Sequence, residues 1–234
     1  MIRLDDPEGV RREYASERGL AGRKAAYRFA EGPDARDIAL AAVAEIHPAR
    51  VLEVGCGEGE FAERVLRELG ADVVAVDQSE RMVELTRGRG VDARLGDVQD
   101  LPFEDGEFDC AVAAWMLYHV PDLDRALAGL SRALRPGGRL VAVTNGLDHM
   151  RELFELAGCP PTDLSFTAEN GVGLLRRHFA RVERRDATGW VVFPDRAAAQ
   201  AYLDASIRAL GRTLPAFEGE LRVRRAPYVF VADK

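Results

Sequence analysis

The chain has 234 residues, of which 47% are hydrophobic and 30% are charged, as in an ordinary globular protein. Its formal net charge of −7 disfavours nucleic acid as a partner, because an acidic surface repels a phosphate backbone. The sequence contains no run of ~18 uninterrupted apolar residues, and its first residues lack the apolar core of a signal peptide. We therefore expect a cytoplasmic protein with no membrane partner.

Three cysteines occur, Cys56, Cys110 and Cys159, an odd number without C-x-x-C spacing. This pattern argues against a disulfide framework and against a zinc site. We therefore expect Cys110 to be a small buried residue, and we expect no metal. The length suits a single α/β domain with an added cap, present as a monomer or a homodimer.

The first 145 residues show a regular alternation of predicted elements. Residues 1–45 are predicted to be largely helical, and 35–46 form an amphipathic helix with apolar residues at four-residue spacing. The predicted strands that follow are 51–54, 71–77, 92–95, 109–114 and 139–144, and the predicted helices are 60–69, 80–87 and 122–134. Such an alternation predicts an α/β fold with a doubly wound, mostly parallel sheet.

Beyond Asn145 the pattern changes. Helices are predicted at 149–157, 170–178 and 195–211, a long strand at 179–193 with a possible bulge at Gly189, and a terminal strand at 221–232. Pro227 interrupts that last strand, which suits an edge position or a bulge. With the five parallel strands, the two late strands would complete a seven-stranded sheet.

We divide the single predicted domain into four parts. These are an N-terminal helical cap at 1–35, a ligand-binding core at 36–145, a cap insertion at 146–178, and C-terminal strands with an intervening helix at 179–234.

The most informative stretch is VLEVGCGEG, residues 51–59, in which a glycine turn follows a buried strand. A dinucleotide site requires G-x-G-x-x-G, but Gly59 comes one position too early and Glu60 occupies the expected place. Glu53 and Glu58 would repel a pyrophosphate, whereas a cationic sulfonium and an ammonium group would tolerate them. The charge of this turn therefore favours S-adenosylmethionine (SAM) over NAD.

Asp77 falls 24 residues after Glu53, at the end of the second predicted strand. An acid in this place can accept hydrogen bonds from both hydroxyls of an adenosine ribose. Taken alone, it is also explained as a turn aspartate before Gln78 and Ser79. The preceding glycine turn favours the ribose role.

Four blocks between residues 49 and 145 resemble the small class I methyltransferases that include ubiquinone and menaquinone C-methyltransferases. The blocks are VLEVGCGEG with the acid in VDQSERM, then LGDVQDLPFEDGEFDC, AAWMLYHVPDLDRAL and LSRALRPGGRLVAVT. The resemblance implies a Rossmann-like methyltransferase fold and an enzyme that uses SAM and releases S-adenosylhomocysteine (SAH).

The resemblance also implies a set of SAM contacts. Gly55, Cys56, Gly57 and Ala114 would border the methionine part of SAM, and Asp77 would bind the ribose. Gln78 and Met82 would flank the adenine. Asp97 would accept from the adenine amino group, and the Val98 backbone N–H would contact the adenine ring. On the residues alone, Asp97 also fits a solvent-facing loop, and Met82 also fits a helix core.

Methyl transfer from a sulfonium can rely on alignment and exclusion of water, so a general base is optional. His119, in WMLYHV, is the best candidate base, with packing or helix capping as the alternative. Trp115 and Tyr118 beside it would form an aromatic wall around the sulfonium or the substrate, or pack in the core.

Arginine and the remaining histidines give weaker signals. Arg23, in the segment 16–29, would clamp a carboxylate of SAM or of an acidic substrate, or would be solvated. His149 and His178 look like surface residues of helices, and no role is assigned to them.

The leading hypothesis is methyl transfer from SAM to a small organic acceptor. The alternatives are an RNA or protein methyltransferase and a SAM-binding regulatory protein without catalysis. The acidic charge counts against RNA, as does the absence of an Asn/Asp-Pro-Pro-Tyr/Phe motif after the fourth strand.

Overall fold

Strands and helices alternate along the chain in the computed structural model, which describes residues 2–6, 8–10, 14, 18–209 and 211–234. The strands are β1 (Ile2–Arg3), β2 (Ala30–Glu31), β3 (Arg50–Val54), β4 (Asp72–Asp77), β5 (Asp92–Leu95), β6 (Phe108–Ala114), β7 (Leu134–Asn145), β8 (Thr162–Asp163), β9 (Arg181–Asp186), β10 (Gly189–Phe193), β11 (Leu221–Arg225) and β12 (Pro227–Asp233). The helices are α1 (Arg18–Ala26), α2 (Ala35–Ala44), α3 (Glu60–Arg64), α4 (Glu80–Gly88), α5 (Leu123–Ala133), α6 (Arg151–Leu156), α7 (Gly171–Leu175) and α8 (Arg196–Asp204). Parts of the predicted N-terminal cap, residues 1, 7, 11–13 and 15–17, lie outside the described residues.

The central sheet has seven strands in the order β5-β4-β3-β6-β7-β12-β9. Strands β3 to β7 are parallel to one another, and β12 is antiparallel to both of its neighbours. The prediction of a doubly wound, mostly parallel seven-stranded sheet is confirmed. No described helix is both long and apolar enough to cross a bilayer.

The sheet is buried on both faces because its inner strands are almost continuously apolar. Successive residues point to opposite faces, so Leu52 and Leu140 belong to one core cluster and Val51 and Val141 to the other. Helix caps fix where the helices begin. Asp195, for example, accepts a hydrogen bond from the backbone N–H of Ala198 at 2.8 Å at the start of α8.

The prediction of one long strand at 179–193 is wrong. Strand β9 belongs to the central sheet, whereas β10 lies in a three-stranded antiparallel sheet of order β11-β10-β2. The chain turns between them, where the Asp186 carboxylate accepts from the backbone N–H of Thr188 at 2.7 Å. At Gly189 an added Cβ would lie 2.1 Å from the carbonyl oxygen of Glu31. This glycine therefore permits the close approach of β2 and does not form a bulge.

The terminal strand is divided in the same way, with β11 in the small sheet and β12 in the central sheet. Pro227 is the first residue of β12, where it pairs with Asn145. A proline is tolerated there because the first residue of a strand can lack a ladder donor. The edge position predicted for Pro227 is wrong, since β12 lies between β7 and β9.

Other boundaries also differ from the predicted ones. The helix predicted at 195–211 ends at Asp204, and the helix predicted at 122–134 ends at Ala133, directly before β7.

A cap covers the carboxyl ends of the parallel strands and has a hydrophobic core of its own. Phe193 on β10, Tyr202 on α8 and Phe154 on α6 pack together there. Residues 189–225 thus belong to the cap, although the predicted division assigned them to the C-terminal strands. The cap lies over the carboxyl ends of the parallel strands, where ligands bind in open α/β sheets.

We expect Leu140→Ala to lower the free energy of unfolding by about 2–5 kcal/mol, because it leaves a cavity at a fully buried position in the centre of the sheet. Leu147→Ala is the matched control, since Leu147 is 53% exposed and should change stability by less than about 0.5 kcal/mol. Urea denaturation measures both values. Equal losses in the two variants would contradict the placement of Leu140 in the core.

Candidate functional site

A cavity of about 380 Å³ lies between the cap and the carboxyl ends of β3, β4, β6 and β7. Its volume falls in the range of small-molecule sites. The chain runs from β3 outward to β5 and then returns to β6 on the other side, so the cavity sits at the topological switch point of the sheet.

The glycine turn after β3 forms one wall of the cavity. Gly55, Gly57 and Gly59 all have left-handed φ angles, of 64°, 55° and 74°. A Cβ added at Gly55 would lie 2.6 Å from the Met116 side chain, and one added at Gly59 would lie 2.6 Å from the Thr86 hydroxyl. At Gly57 the nearest such atom is 3.7 Å away. The outer glycines therefore permit close packing, and the middle one leaves room beside the cavity.

Asp77, at the end of β4, is hydrogen-bonded to this turn. One carboxylate oxygen accepts from the backbone N–H of Gly57 and the other from that of Ser79, each at 2.9 Å. Asp77 is only 8% exposed, and burial raises its pKa. A carboxylate has about four acceptor sites, so Asp77 keeps capacity for a further donor.

Glu53, on β3, is a buried acid behind the turn. It is 3% exposed, and its Oε2 has no hydrogen-bond partner among the described residues. Burial, and secondly the charge of Asp77, raise the pKa of Glu53 to about 8. A cationic ligand would stabilise the ionised form, since it would supply the missing opposite charge.

The residues predicted to surround an adenine are only partly brought together. Gln78, Asp97 and Val98 line the cavity. The carboxylate of Asp97 accepts from the backbone N–H of Gln99 at 2.8 Å. Met82 is fully buried in the core and does not line the cavity, so the structure favours its core alternative.

The predicted aromatic wall follows β6. Ala114, Trp115 and Tyr118 all line the cavity. Trp115 has a φ of 54°, an uncommon value for a non-glycine residue, and its indole N–H donates to Asn145 Oδ1 at 3.2 Å. Cys56 also lines the cavity, and burial raises the pKa of its thiol, which keeps it protonated.

His119 is held by residues of the N-terminal segment. Its Nδ1 lies 2.7 Å from the carbonyl oxygen of Leu4, which can only accept, so Nδ1 carries the proton. The Tyr14 hydroxyl, 3.1 Å away, then donates to Nε2. Both ring nitrogens are thus engaged, which favours the packing alternative for His119 over the general base.

The cap contributes residues that the sequence analysis missed. His149, Tyr202, Arg208 and Arg225 line the cavity together with the predicted Arg23, which donates to the carbonyl oxygen of Ala205 at 2.8 Å. The prediction of a surface position for His149 is wrong, because it is 4% exposed. Periodicity within one helix could not reveal this, since His149 is covered by β11 and other distant segments. His178 does not line the cavity and lies 2.8 Å from Asp124.

Part of the chain is similar to known methyltransferases. A model described as a methyltransferase domain matches residues 52–142. The chain is similar to a ubiquinone biosynthesis O-methyltransferase from Xanthomonas oryzae pv. oryzae, with 42% identity over 103 residues, 41% of this chain and 43% of that protein. Residues 52–142 of the chain therefore match a methyltransferase domain. The match covers less than half of the relative's length, so that protein's activity and substrate are not assigned to this chain here.

Solved structures share the fold of this chain. A SAM-dependent methyltransferase from Thermotoga maritima, described as a possible histamine N-methyltransferase, has a TM-score of 0.58 and 24% identity, over 89% of this chain and 91% of that one. Phosphoethanolamine N-methyltransferase 2 from Haemonchus contortus has a TM-score of 0.64 and 16% identity, over 100% of this chain and 60% of that one. The predicted Rossmann-like methyltransferase fold is confirmed.

We expect Asp77→Ala to weaken SAH binding by about 1.5–3 kcal/mol, the range for a hydrogen bond to a charged group. It should also lower stability by about 1–3 kcal/mol, because the backbone N–H groups of Gly57 and Ser79 lose their acceptor. Calorimetry and urea denaturation measure the two effects. Asp72→Ala, at the exposed start of the same strand, is the control and should leave SAH affinity unchanged. An unchanged affinity in Asp77→Ala would mean that the ribose binds elsewhere.

The buried Glu53 should make the stability of the ligand-free protein depend on pH. Its folded-state pKa of about 8 lies above the ordinary 4.5, so the folded chain retains a proton that the unfolded chain has released. The stabilisation is complete below pH ~4.5 and is lost as the pH rises towards ~8. Denaturation midpoints over this range should fall less steeply in Glu53→Gln than in the wild type. Parallel pH profiles would show that Glu53 titrates normally.

Proposed function

We propose that this methyltransferase transfers a methyl group from SAM to a small organic acceptor bound beneath the cap. The observation that carries the proposal is one cavity with two different walls. The glycine turn, Glu53 and Asp77 form the wall on the sheet side, and aromatic and basic side chains of the cap form the other.

The sheet side fits SAM. Asp77 retains acceptor capacity for ribose hydroxyls, and the space beside Gly57 admits a ligand close to the backbone. The unpartnered Oε2 of Glu53 provides negative charge for the sulfonium and ammonium groups. Gly55, Cys56, Gln78, Asp97, Val98 and Ala114 would complete the site, with Arg23 near the carboxylate of SAM or of the acceptor.

When bound, SAM supplies a methyl group that moves to the acceptor in one in-line displacement and leaves SAH. The chain's own contribution would be to align the acceptor and exclude water, which can be worth up to ~7–11 kcal/mol. Trp115 and Tyr118 would hold the acceptor beside the end of β6. Since both ring nitrogens of His119 are engaged, we propose that it positions the N-terminal segment and does not act as the base.

A small acceptor is preferred to RNA or protein because the site is a cavity covered by the cap. The named relatives support this choice, since one is a ubiquinone biosynthesis O-methyltransferase and another was solved with phosphomonomethylethanolamine and SAH. The second wall argues against a regulatory protein that binds SAM alone. A cytoplasmic location, the lack of a metal and a monomeric or homodimeric state remain predictions from the sequence.

The direct test is incubation with isotopically labelled SAM and a panel of metabolites, followed by mass spectrometry. We expect one class of small molecule to gain the labelled methyl group, and Asp77→Ala to form less product. Calorimetry should show binding of SAH and none of NAD. Tighter binding of NAD than of SAH would contradict the proposal.

We expect His119→Gln to lower the melting temperature and to leave turnover per folded molecule within about tenfold of the wild type, because the residue positions the N-terminal segment. A general base would instead cost ~10²–10⁴ in turnover. A stable His119→Gln variant that binds SAH normally but is a hundredfold slower, on the order of a lost base, would contradict the positioning role.

A further inference from the structure

The cap wall of the cavity carries a buried arginine that has no carboxylate partner among the described residues. Arg225, on β11, is 3% exposed, and its Nη2 donates to the carbonyl oxygen of Pro33 at 2.6 Å. Its Nε is buried and has no acceptor among the described residues, and none of their carboxylates lies within salt-bridge distance. The carboxylate of Asp34, the residue after Pro33, already accepts a hydrogen bond from Arg36 at 2.7 Å. A buried cation with no opposite charge is unfavourable unless a ligand provides one.

A second arginine on the same wall is also without a carboxylate partner among the described residues. Arg208 donates from Nε to the Thr162 hydroxyl at 3.1 Å, and its guanidinium lies 4.1 Å from the centre of the Phe154 ring. Burial lowers the pKa of Arg208. Stacking on the ring and the bond to Thr162 fix the plane of the guanidinium, which leaves its other N–H groups for a ligand.

His149 adds a neutral donor to the two cations. Its Nδ1 accepts from the backbone N–H of Ala226 at 3.1 Å, so the proton is on Nε2. Burial, and then the charges of Arg208 and Arg225, lower the pKa of His149 to about 3. The imidazole therefore stays neutral, and its Nε2–H is a donor that cannot serve as a base in this tautomer.

The opposite wall has the opposite charge. Glu53 and Asp77 are the buried acids of the cavity, and both belong to the sheet side that fits the cationic SAM. A second cationic ligand beneath the cap would meet Arg208 and Arg225 and be repelled. An acidic ligand would be attracted there and would satisfy the open donors.

We propose that Arg208, Arg225 and the Nε2–H of His149 form an anion subsite that binds a carboxylate or phosphate group of the methyl acceptor. The rings of Tyr118 and Tyr202, which line the same space, would contact the rest of an aromatic acceptor. This inference rests on the proposed function of the cavity and narrows its substrate class to small organic acids. The competing occupant is the carboxylate of SAM itself.

Calorimetry on the SAH-saturated protein tests the subsite with three aromatic probes, 4-hydroxybenzoate, phenyl phosphate and the neutral 4-hydroxybenzamide. We expect at least one of the two acids to bind about tenfold or more tightly than the amide. Arg208→Met should weaken binding of that acid about tenfold or more. Arg225→Lys keeps the charge but loses the paired guanidinium donors, and it should weaken binding by about as much. Preference for the benzoate or the phosphate identifies the anionic group.

Arg222→Met is the matched control, because Arg222 lies on the same strand but is exposed and paired with Glu31. It should leave acid binding unchanged. SAH affinity should stay within about twofold in all variants. Equal affinity of acids and amide, or no binding of any probe, would overturn the subsite. A loss of SAH affinity as large as the loss of acid affinity would assign the arginines to SAM. Failure of the wild type to bind SAH would instead overturn the proposed function.

Discussion

The carboxylate of Asp77 joins the glycine turn after β3 to the end of β4, and the site depends on both. By accepting from the backbone N–H groups of Gly57 and Ser79, it holds the glycine turn after β3 against the end of β4. The turn needs three left-handed residues, and side chains at Gly55 or Gly59 would collide with Met116 or Thr86. The same carboxylate keeps acceptor capacity for a ligand. Structure and proposed cofactor binding therefore depend on one buried group.

The cap turns this edge of the sheet into a cavity with divided charge. Its small sheet and helices have a separate core around Phe193 and Tyr202, so the cap can place Arg208 and Arg225 without disturbing the central sheet. Buried acids lie on the sheet side and buried cations on the cap side. In a site of low dielectric constant this separation would orient a cationic donor and an anionic acceptor towards each other.

The local sequence pattern was sufficient to predict the central sheet and most of the proposed cofactor site. The glycine spacing, the acid at Glu53 and the position of Asp77 are short-range features of sequence. The division of 179–193 into two strands was missed because both halves favour strand and only their partners differ. The buried position of His149, and the unpaired state of Arg225 among the described residues, depend on contacts between distant segments, which periodicity does not contain.

A crystal structure of the chain with SAH bound would test the central claim, that the sheet wall holds the cofactor and the cap wall is left for an acidic acceptor. The account predicts ribose hydroxyls within hydrogen-bond distance of Asp77, the adenine beside Val98 and Gln78, and no contact between SAH and Arg208 or Arg225. A structure with the SAH carboxylate on Arg225, or with the ribose away from Asp77, would contradict it.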